Sequence, residues 1–217
     1  MIDILYENAD YTVCVKPVGI QSQNDNAEDM VKLLSRQTGS DIFPVHRLDT
    51  AVGGTMVFAK NPSAAAELSK QITDKTFAKR YLAVLSGIPE TRSGTLEDLL
   101  FKDSAKNKTY VVRRERKGVK KASLEYAVLS EKDGKALISV RLHTGRTHQI
   151  RVQFSSRKLP LVGDGKYGSR DSNCNIALWS ESVSFNYNGK RVKYNSLPDC
   201  NIYPWNLFNF NECLSSL

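Results

Sequence analysis

Two tight-turn dipeptides, Asp133-Gly134 and Asn188-Gly189, constrain the fold more than any other feature of this chain. Asp-Gly and Asn-Gly readily adopt the positive φ angles of type I′ turns, and such turns join neighbouring antiparallel strands. β-rich runs flank the first dipeptide at residues 123–130 and 136–142. Further runs of this kind occupy residues 1–6, 11–15 and 80–86. The chain is therefore predicted to build a largely antiparallel sheet.

A helix is predicted over residues 62–74. Asn61 is a good N-cap, and Pro62 stands at the first helical position, where its missing N–H is not needed. The apolar residues of this segment recur at helical spacing: Ala65, Leu68 and Ile72.

Two further helices complete the expected architecture. One is predicted to begin at an Asn26 cap and to end at Gly39, with an apolar stripe of Met30, Leu33 and Leu34. The other is a short helix over residues 147–154, in which His148 and Arg151 lie within reach of each other. Strands and helices together predict the α+β class, with a mixed sheet flanked by helices.

The composition predicts one globular domain spanning residues 1–217. Hydrophobic residues make up 41% of the chain and charged residues 25%, which is close to the average for globular proteins. Neither a repeat nor a Pro/Ser-rich linker marks a boundary. No apolar run approaches the roughly 20 residues that cross a bilayer, and residues 1–10 contain neither the basic region nor the apolar core typical of a signal peptide. We therefore expect a cytoplasmic protein without a membrane partner.

Positive charge is concentrated in one segment, which we call the basic arm, residues 102–121. It contains nine basic and two acidic residues, a net charge of +7 out of +8 for the whole chain. One interpretation is a solvated loop or edge strand. The other is an arm that binds the phosphates of a nucleic acid. The cations expected to make those contacts are Arg113, Arg114, Arg116 and Lys117.

The common catalytic motifs of hydrolases, nucleotide-binding proteins and zinc proteases are absent from the sequence. The three histidines have no carboxylate or cysteine at ligand spacing, so we expect no metal. Two polar patches remain, at residues 44–49 (PVHRLD) and 144–151 (TGRTHQIR). By themselves they are also consistent with a turn whose Asp and Arg pair, and with a capped helix carrying surface arginines.

Five stretches together resemble the RluA-type pseudouridine synthases, which convert uridine in RNA to its C-glycoside isomer. They are, in chain order, KPVG (16–19, motif one), HRLDTAVGG (46–54, motif two), KRYLAVLSG (79–87, motif three), TGRTHQIRV (144–152, motif four) and VGDGKYG (162–168, motif five). The resemblance implies a central RNA-binding cleft, RNA as partner and no cofactor. Gln153 departs from it, because a histidine is usual there, and we expect no N-terminal S4 domain.

The resemblance assigns catalysis to three residues. Asp49 is the catalytic carboxylate, which attacks C1′, attacks the base or abstracts a sugar proton; the sequence leaves these routes open. Arg151 is expected to pair with Asp49. Tyr81 is expected to stack on the target base and to handle a proton at C5, although a buried strand tyrosine is the structural alternative.

Other residues are expected to bind the RNA. Arg47 is assigned to the space that the flipped-out uridine leaves. His46 is expected either to stack on a base or to make a structural hydrogen bond. Leu161 and Val162 are expected to wall the pocket. The remaining substrate-binding candidates are Leu48, Arg146 and His148.

Two other functions compete with isomerisation. The alternatives are an RNA-binding protein without catalysis and a hydrolase of an N-glycosidic bond. A glycosidase usually needs a second carboxylate, and Asp164 is the only acid in the remaining motifs. The sequence leaves open whether ribosomal or transfer RNA is the substrate, and also the role of the apolar tail 202–214. We expect a monomer.

Overall fold

The computed structural model describes residues 1–24, 27–171 and 173–214. The chain divides into two compact units. Unit 1 contains residues 1–80 and 179–198, and unit 2 contains residues 81–178 and 199–214 of the described chain. Each unit is built from two separate chain segments. The prediction of a single domain stays a prediction.

The helices and strands follow one another along the chain. The strands are β1 (Asp3–Glu7), β2 (Tyr11–Lys16), β3 (Phe43–Pro44), β4 (Gly53–Ala59), β5 (Ala78–Leu85), β6 (Ser93–Asp103), β7 (Lys108–Val112), β8 (Val119–Lys132), β9 (Lys135–Leu142), β10 (Leu178–Tyr187) and β11 (Lys190–Asn195). The helices are α1 (Met30–Thr38), α2 (Pro62–Thr73), α3 (Gln149–Ser155) and α4 (Phe210–Leu214).

Strand pairing is mostly antiparallel. In unit 1 the order is β1-β2-β4-β10, with β3 beside β4 and β11 beside β10. Here β4 and β10 run parallel, whereas β1/β2, β2/β4, β3/β4 and β10/β11 are antiparallel. In unit 2 the order is β5-β9-β8-β6-β7, and β6/β7, β6/β8 and β8/β9 are antiparallel. The predicted α+β class with a mixed sheet is confirmed.

The two turn dipeptides join strands as expected. Asp133 and Gly134 have φ angles of 50° and 69°, between β8 and β9. Asn188 and Gly189 have φ angles of 49° and 74°, between β10 and β11. Positive φ at both central positions is what a type I′ turn requires. Both predicted hairpins are confirmed.

The predicted helix of unit 1 that follows Asn61 is confirmed as α2. The Asn61 side chain accepts a hydrogen bond from the Ala64 N–H at 2.8 Å. The apolar face of α2 packs on a buried cluster from β2, β4 and β10, because its stripe recurs once per helical turn. The cluster contains Tyr11, Val57 and Phe185.

Helix α1 begins later than the sequence suggests. Its N-cap is Asp29, whose carboxylate accepts from the Lys32 N–H at 2.8 Å. Asn26, the expected cap, lies outside the described residues. Gly39 ends the helix in the left-handed conformation, as predicted, with φ at 67°.

Strand β6 is absent from the sequence predictions, whereas β7 corresponds to the edge-strand interpretation of the basic arm. In β6, Leu96 and Leu100 are buried, but the same face also carries Asp98, and the opposite face carries the apolar Leu99 and Phe101. Because both faces mix charged and apolar residues, the period-two pattern that identifies a strand is lost. The basic arm is therefore partly strand, with β7 at the edge of the sheet.

The parallel contact between β4 and β10 depends on Gly54. Its φ angle is 119°, and a Cβ atom there lies 2.4 Å from the Ser180 carbonyl oxygen and 2.6 Å from its nitrogen. Real Cβ atoms do not approach backbone this closely. Only glycine allows the two strands to meet at this separation.

Replacing Gly54 with alanine is expected to lower the free energy of unfolding by about 3 kcal/mol, because overpacking adds to backbone strain. Gly165→Ala is the matched control, since nothing lies within 4 Å of its added methyl group. Its effect is expected to stay within about 0.5 kcal/mol. Urea unfolding measures both, and equal midpoints would contradict the close-contact explanation.

Candidate active site

In unit 1, motifs one and two meet at a buried lysine. Lys16 is completely buried, and its ammonium donates to two carbonyl oxygens of its own turn at 2.8 and 2.6 Å. It also reaches the carbonyl oxygen of Thr50 at 3.4 Å. The Gly19 N–H donates to the same Thr50 oxygen at 2.8 Å. Motif one therefore fixes the residue that directly follows Asp49.

The charges of this turn are coupled. Burial lowers the pKa of Lys16 to about 8, and the nearby Asp49 carboxylate opposes that shift. Asp49 is half-buried, and its carbonyl oxygen accepts from the Val52 N–H at 2.9 Å. The predicted catalytic carboxylate thus lies in a closed turn beside a buried cation.

Leu48 is held by one hydroxyl group. The Ser22 Oγ lies 3.0 Å from both the N–H and the carbonyl oxygen of Leu48, and 3.6 Å from the Met56 sulfur. Leu48 itself is buried, whereas the preceding Arg47 is exposed. Because Leu48 is buried and Arg47 is exposed, the arginine side chain lies in solvent next to Asp49 in the sequence.

His46 has a structural hydrogen bond. Its Nε2 accepts from the Val57 N–H at 3.3 Å, and its ring centroid lies 5.6 Å from that of Phe77. Burial holds the pKa of His46 at about 3, with the Lys79 charge acting in the same direction. The ring is therefore neutral with its proton on Nδ1. This matches the structural alternative for His46, and its substrate-binding role stays a prediction.

In unit 2, motifs three and five are connected through backbone. The Val162 N–H donates to the Val84 carbonyl oxygen of β5 at 2.9 Å, and Leu161 forms a bridge with Leu85. Leu161 and Val162 are completely buried. Tyr81, on the same strand, is 5% exposed. The two apolar candidates therefore lie against the strand that carries the tyrosine.

Motifs four and five share a buried ion pair. The Arg151 Nε lies 2.6 Å from Oδ2 of Asp164, and its Nη2 lies 2.8 Å from Oδ1. Arg151 is 5% exposed and Asp164 is completely buried. The Tyr167 ring centroid lies 5.1 Å from the guanidinium carbon. Two parallel hydrogen bonds and a ring fix the orientation of this arginine.

The Tyr167 hydroxyl connects these motifs to the basic arm. It accepts from the Thr109 N–H of β7 at 2.9 Å and lies 3.0 Å from Nδ1 of His148. The Lys108 ammonium lies 5.2 Å from the same ring. Burial raises the pKa of Tyr167, which keeps the hydroxyl protonated. His148 and Arg151 thus both contact Tyr167, and the expectation that they lie within reach of each other stays a prediction.

Gln149 shapes the loop that carries Arg146. Its Oε1 accepts from the Arg146 N–H at 3.0 Å and from the Thr144 hydroxyl at 2.8 Å, and its Nε2 donates to the Ser123 carbonyl oxygen at 3.1 Å. The exposed Arg146 side chain donates from Nε to the Lys121 carbonyl oxygen at 3.1 Å. Motif four is therefore in direct contact with the basic arm.

Gln153, the departure from the family pattern, joins α3 to β6. Its Nε2 donates to the Leu96 carbonyl oxygen at 3.1 Å and to Oδ2 of Asp98 at 2.8 Å. The side chain is completely buried. The substitution thus occupies a packing position.

The four predicted cations of the arm lie in residues 113–118, between β7 and β8, and all are exposed: Arg113, Arg114, Arg116 and Lys117. Across residues 1–24, 27–171 and 173–214, no three His, Cys, Asp or Glu side chains cluster as they do around a metal ion. Within the same part of the chain, no helix is long and apolar enough to cross a membrane.

Comparison with known proteins identifies the family. Residues 10–156 match the sequence model described as RNA pseudouridylate synthase. The chain belongs to this family. A protein from Aquifex aeolicus described as an uncharacterized RNA pseudouridine synthase is 35% identical over 184 residues, which cover 79% of this chain and 57% of that protein. Ribosomal large subunit pseudouridine synthase D from Borreliella burgdorferi is 33% identical over 183 residues, covering 78% and 56%. The chain thus spans little more than half the length of these two relatives.

Solved structures of the family share the fold. Human RNA pseudouridylate synthase domain containing 1 superimposes with a TM-score of 0.79 at 22% identity, covering 94% of this chain and 86% of that one. The human domain containing 4 gives a TM-score of 0.75, also at 22% identity, covering 91% and 89%. The pseudouridylate synthase fold is therefore confirmed.

Several residues of the site were assigned no role from the sequence. Lys16, Asp164 and Tyr167 lie inside the quoted motifs, so the resemblance marked their positions without revealing their contacts. Ser22 and Thr109 lie outside the motifs, and no sequence signal identifies them. Their contacts join residues 26 and 58 positions apart.

The pH dependence of stability tests the burial of Lys16. Its pKa is about 8 in the folded protein and 10.5 for the unperturbed group. Between these values the unfolded chain binds the proton that the folded chain releases, so the free energy of unfolding rises with pH. Lys16→Met removes that contribution. We expect the parent to gain more stability than the variant between pH 8 and 10 in urea titrations.

Lys79, whose pKa is also lowered by burial, contributes equally to both proteins and cancels in the difference. Parallel pH profiles for parent and variant would mean that the ammonium of Lys16 is hydrated in the folded state.

Proposed function

We propose that residues 1–217 act as a single, monomeric, cytoplasmic catalytic domain that isomerises uridine in RNA to pseudouridine. The observation that carries the proposal is the family match over residues 10–156, which contains the Asp49 turn held by Lys16. Isomerisation moves the glycosidic bond from N1 to C5 of the base and changes no oxidation state. The reaction therefore needs no redox cofactor and no ATP.

Asp49 is the proposed catalytic carboxylate. Its turn is fixed on both sides, by Lys16 and Gly19 at Thr50 and by the hydrogen bond from Val52. A carboxylate held in place loses little conformational freedom when it attacks the sugar or the base. Attack at C1′, attack on the base and abstraction of a sugar proton all remain possible routes.

Arg151 and Tyr81 are the proposed catalytic partners of Asp49. The ion pair with Asp164 supports a fixed position for the Arg151 guanidinium. Its pairing with Asp49 stays a prediction. Replacing Arg151 alone leaves Asp164 buried without its cation, which costs about 3–5 kcal/mol of stability. Loss of activity in such a variant therefore needs a stability measurement beside it.

The exposed cations are proposed to contact RNA directly. Arg47 is exposed beside Asp49, which supports its role in the space that the flipped uridine leaves. Arg146 and the arm cations form one basic surface in unit 2, because Arg146 bonds the arm at Lys121. The buried candidates are proposed to shape the surfaces that RNA meets: His46, Leu48, His148, Leu161 and Val162.

The proposed substrate is a structured RNA, either ribosomal or transfer RNA. The Borreliella relative is named for the ribosomal large subunit. RNA binding without catalysis and hydrolysis of the glycosidic bond are the alternatives. The first predicts no product and the second predicts free uracil, so product analysis separates all three.

Asp49→Asn is expected to abolish turnover while RNA affinity stays within about twofold, because the change removes a charge and keeps the shape. Release of tritium from RNA labelled at C5 of uridine measures the reaction. Asp41→Asn, an exposed carboxylate of the same unit, is the matched control and should retain the parental rate. An Asp49→Asn variant with more than about a tenth of parental activity excludes this carboxylate from the mechanism.

The basic arm is expected to dominate affinity for RNA. Replacing Arg113, Arg114, Arg116 and Lys117 with Glu should weaken binding and make log K less dependent on log salt. Each lost phosphate contact reduces the slope by about 0.7 for single strands. The control reverses four exposed lysines elsewhere, Lys70, Lys132, Lys190 and Lys193, with the same change in net charge.

Filter binding at several salt concentrations measures the slope of log K against log salt for the arm variant and for the control variant. Equal slopes for arm variant and control would show that net charge alone attracts the RNA, and the arm would then be a solvated surface.

A further inference from the structure

The connection from β7 to β8 crosses one face of β6. Strand β7 ends at Val112, opposite Leu99 of β6, and β8 begins at Val119, opposite Phe101 on the other side of β6. Both strands run antiparallel to β6, so residues 113–118 must pass over it. Leu100 is buried on the inner face of β6, next to α3. Phe101 therefore lies on the outer face, under the crossover.

The crossover has a defined backbone. The Val119 N–H donates to the Arg116 carbonyl oxygen at 3.0 Å, which closes a four-residue turn. Gly118 has a φ angle of 86°, the value that the third position of a type II turn requires. A Cβ atom at Gly118 would lie 3.5 Å from the Phe101 ring. Glu115 pairs with Lys121 of β8 at 3.4 Å. These contacts give the exposed crossover a defined backbone conformation.

The guanidinium of Arg116 lies over an aromatic ring. Its central carbon is 4.6 Å from the Phe101 centroid, while the arginine is exposed and the phenylalanine is half-buried. Tyr110 of β7 is the direct cross-strand partner of Phe101. The Lys108 ammonium lies 5.8 Å from the Tyr110 centroid. The same ammonium lies closer, at 5.2 Å, to the buried Tyr167 ring, so Arg116 over Phe101 is the cation–ring contact on the outer side of β6 that carries the argument.

Such an arrangement suits an unpaired nucleotide better than a duplex. Unstacked RNA bases are recognised by stacking on aromatic rings and on guanidinium planes, whereas paired bases present only phosphates and groove edges. The Phe101 ring restricts the movement of the Arg116 guanidinium before RNA arrives. The neighbouring cations of the arm supply phosphate attraction, with a net charge of +7 over residues 102–121.

We propose that Arg116, supported by Phe101, is a stacking platform for an unpaired base of the bound RNA. The platform is distinct from the phosphate contacts of the rest of the arm. It rests on the proposed function only in that the chain binds RNA.

The test replaces two arginines of the crossover with lysine, so that charge is retained and only the guanidinium plane is lost. Arg116→Lys is compared with Arg114→Lys, an exposed arginine of the same crossover. The probes are a single-stranded RNA with 2-aminopurine at its centre and a hairpin that pairs the same sequence. Fluorescence quenching reports stacking, and a titration gives affinity.

Arg116→Lys is expected to lose most of the quenching and to bind the single strand about tenfold more weakly, while Arg114→Lys, which keeps the charge of a phosphate contact, should keep the quenching and lose no more than about twofold in affinity. Neither change should alter binding of the hairpin by more than about twofold. Phe101→Leu should reproduce the loss, and Phe101→Tyr, which keeps the ring, should restore binding. Circular dichroism shows which variants are folded. If Phe101→Leu is unfolded, Arg116→Lys and Phe101→Tyr still test the platform.

Equal effects of Arg116→Lys and Arg114→Lys would make Arg116 one phosphate contact among several and overturn the platform. Equal losses on single strand and hairpin would overturn it as well. Tritium release by the parent tests the proposed isomerase activity separately, since quenching is measured without turnover. If the parent protein quenches 2-aminopurine fluorescence but releases no tritium, the platform is supported and the proposed isomerase activity is contradicted.

Discussion

The buried ion pair between Arg151 and Asp164 is the interaction on which unit 2 depends. Taking both charges out of water is costly, and the bidentate geometry with distances of 2.6 and 2.8 Å compensates for that cost. The pair joins α3 to the turn that precedes Tyr167, and Tyr167 in turn bonds β7. A well-packed apolar pair could stabilise such a fold equally well. The charged pair also fixes a guanidinium at a defined orientation, which an apolar pair cannot do.

Unit 1 also buries a charged group, the ammonium of Lys16. Within the part of the chain that the structure describes, Lys16 donates to carbonyl oxygens rather than to a carboxylate, including the carbonyl oxygen of Thr50. Carbonyl dipoles stabilise an ammonium less than water does, and the pKa of Lys16 is lowered accordingly. The gain is positional, because one side chain connects the turn of motif one to the turn of Asp49. Both units therefore use buried polar groups to hold the residues that the family motifs share.

The basic arm shows how charge and sheet structure coexist. Its cations lie on strand ends, in the β6–β7 turn and on the crossover, and all except the half-buried Lys108 are exposed, while Thr109 and Val111 face α3 and the core. Arg116 covers a half-buried phenylalanine, and Lys121 pairs with Glu115. Exposed ion pairs of this kind contribute little to stability. The arm therefore keeps most of its charge available to a polyanionic partner.

Local chemistry made much of this protein predictable from its sequence. Asp133-Gly134 and Asn188-Gly189 set two hairpins, Asn61 and Pro62 set the start of α2, and Gly39 set the end of α1, because each of these signals acts over a few residues. The motifs likewise indicated the family and the candidate residues. Only the tertiary structure decided which partners those residues have: Asp164 for Arg151, Thr50 for Lys16, Val57 for His46 and Phe101 for Arg116. Strand β6 also emerged only there, since charged and apolar residues occur on both of its faces and one of its partners, β8, belongs to a distant segment. A hydrogen bond or a ring contact between such segments depends on how the strands are arranged in space, and no local pattern in the sequence records that arrangement.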